Sequence, residues 1–152
     1  MNPTPRGESG FSDAVLGQTL VFRAGQERFG LPLKAILEVF EQGVEPIPVP
    51  GGPDWLAGMI QHHGRVIPVV RAGPLLRAAP MEGDGPSHQL MLVDLGEEVV
   101  ALLVDQIVAL EEVRSEGPLL SGGRRRAWLR GTLLTLLLPD GLAATLRERM
   151  HQ

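Results

Sequence analysis

Asp54 to Val70 reads DWLAGMIQHHGRVIPVV, and the fold follows from how this stretch is divided. Pro53 to Gly58 has the form of one helical turn stopped by glycine, since Pro suits the start of a helix and Gly its end. Met59-Ile60 and Arg65 to Val70 are apolar and β-branched, which makes them the arms of a hairpin whose corner is His63-Gly64.

Working outward, residues 1–17 are polar and rich in Pro, Ser and Gly, the composition of a flexible tail. Leu20-Val21-Phe22 and Arg28 to Leu31 flank the turn Ala24-Gly25-Gln26-Glu27 as a first hairpin. Ala35 to Phe40 reads as a half-buried strand. The alternating prolines of Val44 to Pro50 cannot donate to a sheet ladder, so that segment is an edge strand or an extended connector. On the other side, Ala72 to Leu76 forms a helical turn and Arg77 to Ser87 (RAAPMEGDGPS) is the best internal boundary. Gln89 to Leu95 and Val99 to Val104 give the clearest hairpin signal, and Ile107 to Val113 continues as a third strand. Ser115 to Arg126 reads as loop, Gly131 to Leu138 as a buried strand, and Leu142 to about Met150 as a short amphipathic helix. A loose echo of strand, hairpin and terminal helical turn links the two halves, without an exact repeat.

A chain of 152 residues, 43% of them hydrophobic, can fill one compact domain or two small subdomains sharing an interface. Nineteen Gly and thirteen Pro, without a long helical period, point to many short strands. Fourteen Lys+Arg against eighteen Asp+Glu leave a formal charge of -4, which offers no general attraction for nucleic acid or an anionic membrane. The run Arg124-Arg125-Arg126 is then a solvated loop. With no cysteine there is no disulfide or thiolate chemistry, in keeping with a reducing cytoplasm. No apolar run approaches the roughly 20 residues of a spanning helix, so membrane insertion is not expected.

Signals for catalysis are few. His62 and His63 are adjacent, and neighbours on a strand point to opposite faces, so the pair makes a poor metal site. No Asp, Glu or third His lies near them in sequence at ligand spacing, and no cofactor, metal or catalytic group is expected. His88 and His151 are isolated. Asp105 could cap a turn. Trp55 and Trp128, each beside a Leu and a few residues before a Gly, read as plugs at the ends of small barrels rather than exposed hot spots.

Several segments in order carry a family resemblance: LVFRAGQERFGLPLKAILEV (Leu20 to Val39), IPVP (Ile47 to Pro50), WLAGMI (Trp55 to Ile60), HGRVIPVV (His63 to Val70), LVDLGEEVVALLVDQI (Leu92 to Ile107) and WLRG (Trp128 to Gly131). Over Gln18 to about Met150 the chain resembles the CheW-type coupling proteins of bacterial chemosensory systems. That likeness implies a mainly β fold of two small SH3-like or OB-like five-stranded barrels, about 18–76 and 88–138, with a C-terminal helix over about 141–150. It implies no enzymatic activity and a cytoplasmic adaptor in chemoreceptor arrays. The partners implied are the cytoplasmic region of a methyl-accepting chemoreceptor, the regulatory domain of a CheA-type histidine kinase, and other CheW-like proteins. The receptor tip would lie in a groove between the barrels, lined by Ile36, Glu38 and Val39, by Gly58, Gln61, His62, His63 and Gly64 of the corner, and by Val100 and Leu102. Kinase contacts would fall on the barrel ends.

The chain also departs from the family pattern. Gln61-His62-His63-Gly64 stands where the family usually reads Asn-Leu-Arg-Gly, and Arg71-Ala72-Gly73 where it reads Asp-Leu-Arg. After Trp128-Leu129-Arg130-Gly131 the family fits two strands, whereas Thr132 to Leu138 supplies one, so the second barrel is expected to lack a strand. That loss would impair the kinase contact and make the chain an accessory member, FrzB-like, of a frizzy-type gliding-motility system. The alternatives are a full receptor–kinase coupler and, from another class, a small-ligand-binding or catalytic β-barrel using His62 and His63.

Overall fold

A computed structural model describes residues 15–40, 44–80, 88–114 and 124–151. Short strands dominate, as the Gly, Pro and β-branched content requires. In chain order they are β1 (Val15–Ala24), β2 (Glu27–Pro32), β3 (Ile36–Phe40), β4 (Leu56–His62), β5 (Arg65–Arg71), helix α1 (Ala72–Leu76), β6 (Gln89–Asp94), β7 (Val99–Val104), β8 (Gln106–Arg114), β9 (Arg124–Leu129), β10 (Thr132–Leu137) and helix α2 (Pro139–Met150). β1 begins at Val15, so the expected tail is too long by three residues; residues 1–14 lie outside those described. Leu56 to Gly58 belongs to β4, which corrects the expected helical turn. Arg124 to Arg126 opens β9, which corrects that part of the expected loop; residues 115–123 lie outside those described.

Among the described residues the strands form two five-stranded sheets, ordered β8-β1-β2-β10-β9 and β3-β6-β7-β5-β4. Each sheet draws on both halves of the chain. The orders match place for place: an edge strand paired antiparallel, an antiparallel hairpin, a parallel step, then a second hairpin. In sequence this is one unit used twice, hairpin–strand–hairpin–helix, as β1–β5–α1 and again as β6–β10–α2. The two units exchange elements, so the hydrogen-bonded sheets do not follow the expected division at 76/88. The expected loss of a strand is corrected as well. β9 and β10 are both present, because Ala127 and Leu129 turn inward onto Leu134 and Leu136 and make a strand of what read as a basic loop.

Period-two alternation lets most of the strands feed two cores. Ile60, Ile67, Val69, Leu90, Leu92 and Ala101 fill the concave side of the second sheet, and Val21, Val113, Ala127, Leu134 and Leu136 that of the first. The intervening residues form the largest cluster, between the sheets: Phe22 and Phe29 stack at 5.7 Å, alongside Met91, Val93, Val100, Leu102, Trp55 and the buried residues of both helices. α2 starts with Pro139 in its first turn and docks Leu142, Ala143 and Leu146 there. Arg149 donates from a guanidinium NH to the Leu75 carbonyl of α1 at 2.9 Å. The β1–β2 turn is tied across the molecule: Gly25 N–H donates to the Asp105 carboxylate at 2.6 Å, the capping role expected of Asp105, and Gln26 N–H donates to the Ala79 carbonyl at 2.8 Å.

Candidate functional site

The β4–β5 hairpin closes with His63 at φ 51° and Gly64 at φ 76°. Two consecutive positive φ values are what a two-residue turn matched to strand twist demands, and Gly supplies the second without steric cost. The register runs Ile60↔Ile67, Gln61↔Val66, His62↔Arg65, which buries the first pair and exposes the second. The corner therefore stands out from the second sheet. β4 is one edge of that sheet and β3 the other. Ile47 covers part of the β4 edge, donating to and accepting from Met59 at 2.8 and 2.9 Å. That makes the proline-rich segment the extended connector its sequence suggested. Its approach explains Gly58, where φ is 147° and an added Cβ would clash with the Ile47 carbonyl oxygen.

Farther along, Glu38 on β3 spans the opening between the two edges and meets His62 Nε2 at 2.9 Å. Phe40, also on β3, presents an edge-to-face contact to the His62 ring at 5.0 Å. The His62 and His63 rings lie 4.0 Å apart. The strand rule that separates adjacent side chains fails here because β4 ends at His62 and His63 has left the strand. Glu38, His62 and His63 thus come together, a juxtaposition hidden in sequence by the 24 positions between Glu38 and His62.

Of the expected groove residues, Glu38, Val39, Gln61, His63 and Gly64 are exposed, and Ile36 and His62 are half-buried. Val100 and Leu102 do not line an accessible groove, and this is a correction: they are 2% and 0% exposed. The reason lies in the register. Ile36, Val93 and Val100 form one transverse row, and Val39, Met91, Leu102 and Val70 another. Ile36 and Val39 are the edge members of these rows, whereas Val100 and Leu102 sit two strands inside, under the other sheet. Gly58 is buried too, and the close approach of Ile47 to it shapes the connector. Leu37 and Val66, exposed beside the corner at 53% and 64%, are apolar surface that sequence reading did not single out.

The two tryptophans separate. Trp55, just before β4, is buried in the central core, whereas Trp128, near the end of β9, is 70% exposed, which corrects the plug expected there. They occupy opposite ends of equivalent strands. Trp128 faces out beside its cross-strand neighbour Leu133, over a shallow depression flanked by Glu112 and Arg114. No helix among the described residues is long and apolar enough to cross a membrane.

Comparison with known proteins agrees with this architecture. A family model described as a CheW-like domain matches residues 18–143. Protein FrzA of Myxococcus xanthus is 32% identical over 95 residues, 60% of this chain and 56% of that protein, so the match spans little more than half of FrzA. The probable chemotaxis protein CheW of Rhizobium etli is 25% identical over 121 residues, 76% of each chain. The crystal structure of the scaffolding protein TtCheW from Thermoanaerobacter tengcongensis superposes with a TM-score of 0.66 at 18% identity, covering 79% of this chain and 87% of that one.

Proposed function

Since the chain belongs to the CheW-like domain family, we propose that it is a non-enzymatic adaptor that binds the cytoplasmic tip of a methyl-accepting chemoreceptor and couples it to a CheA-type histidine kinase. The observation that carries this reading is the exposed edge formed by β3 and the β4–β5 corner. Ile36, Leu37 and Val39 supply an apolar strip, with Glu38, Gln61 and His63 around it. An amphipathic helical hairpin can lay its apolar face on such a strip while the polar rim sets its register. Burial of Val100 and Leu102 leaves them out of the proposed receptor surface.

An accessory, receptor-only role follows from a missing strand, and among the described residues each sheet has five. Two complete sheets favour the full coupler. Trp128, outward on the first sheet with Leu133, is the large aromatic best placed for a kinase-regulatory-domain contact. Pull-downs of the full chain with a receptor cytoplasmic fragment and, separately, with a kinase regulatory domain test both arms. Capture by both is expected. Capture by the receptor alone restores the accessory reading, and capture by neither overturns the adaptor.

A further inference from the structure

The internal repeat offers a control for the corner. In the first sheet, the turn equivalent to His63-Gly64 is Arg130-Gly131, also at positive φ (52° and 80°). From it Arg130 reaches back to Glu111 on β8, the opposite edge of that sheet, with guanidinium nitrogens at 2.9 and 3.3 Å from the two carboxylate oxygens. Both sheets thus bridge their open edges with a glutamate and the residues around a hairpin turn. In the first the bridging partner is a permanent cation that cannot ligate a metal. In the second it is two imidazoles.

We propose that Glu38, His62 and His63 form a binding site for a divalent transition-metal ion of the zinc class, which fastens β3 to the β4–β5 corner. One ligand atom from each lies within 4.8 Å of the others. Two imidazole nitrogens and a carboxylate oxygen are a donor set that suits zinc, at bond lengths of about 2.0–2.2 Å. In tetrahedral geometry such bonds place ligand atoms roughly 3.3–3.5 Å apart. The 2.9 Å His62–Glu38 pair is already inside that spacing, and His63, exposed on its turn, has to approach by on the order of an ångström. Phe40 against the His62 ring restricts its rotation, and β3 and β4 hold the Glu38 and His62 backbones. The corner faces solvent, which leaves the fourth position to water. Arg65, opposite His62 in the hairpin, adds positive charge nearby, so micromolar rather than tighter affinity is expected.

Isothermal titration calorimetry of the full chain with zinc chloride tests this, independently of any receptor or kinase. One ion per chain is expected, with affinity reduced at least tenfold in Glu38→Gln and in His63→Asn. Asn-Gly is itself a favoured pair for this turn, so His63→Asn removes the ligand and keeps the corner. Replacing the distant imidazoles, His88→Gln and His151→Gln, should leave the affinity unchanged. Zinc should also raise the thermal midpoint of the native chain by mass action and not that of Glu38→Gln. Absence of saturable binding overturns the site, as does equal affinity in His63→Asn, or a loss confined to the His88 and His151 variants.

Discussion

Replacing Trp55 with Ala removes a buried side chain of the central core, 8% exposed, and should cost about 3–5 kcal/mol in denaturant unfolding. The same change at Trp128 removes a side chain 70% exposed, and should shift stability by no more than about 0.5 kcal/mol while weakening capture by the kinase regulatory domain. Equal destabilisation at the two sites would refute the placement of Trp128. Gly58→Ala meets the Ile47 carbonyl at a φ of 147°, so a loss on the order of 1–3 kcal/mol is expected even though only a methyl group is added. At the corner, His63→Arg lengthens the side chain and replaces the imidazole with a guanidinium, matching the residue the family usually carries. Tighter receptor capture is the expected result; unchanged capture would remove His63 from the receptor-facing edge.

The edge-bridging contacts and the helices differ in what they hold. Arg130 is 76% exposed and pairs with Glu111 across the first sheet's edges, so Arg130→Ala should cost under about 1 kcal/mol, as solvent-screened pairs do. That bridge aligns the edges more than it stabilises them. α2 is different, because Leu142, Ala143 and Leu146 close one end of the core between the sheets. Leu146→Ala should cost about 2–5 kcal/mol by chemical denaturation, and a loss below 1 kcal/mol would mean that the helix is peripheral. The twelve-residue α2 is short for a helix standing alone in water, and its stability comes from this buried face.

Over the whole molecule, each sheet contains strands from both halves and the largest core lies between the sheets. Neither half can complete a sheet without the other. Calorimetry should therefore show one transition with equal van't Hoff and calorimetric enthalpies, and a fragment ending at residue 80 should lack native strand content. Two resolved transitions would contradict the exchange of elements.

Local chemistry made much of this legible in the sequence. The β1–β2 and β6–β7 hairpins, the His63-Gly64 corner, α1 and most of α2 follow from alternation, turn residues and caps, all of which act over a few positions. The order of motifs made the family legible as well. Partnership across the chain was not: β1 lies against β8 and β3 against β6, pairings that satisfy strand edges far apart in sequence, and no local signal records them. Burial at Val100 and Leu102 was hidden for the same reason, since alternation says which residues share a face and not which face another sheet covers. Glu38 meets the two histidines because sheet curvature brings opposite edges together and a positive φ takes His63 off its strand. Sequence by itself determined most of the strands, the hairpin turns and the donor groups; the tertiary structure decided that Leu56 to Gly58 and Arg124 to Arg126 join strands and which groups meet, because sheet closure acts between residues far apart in the chain.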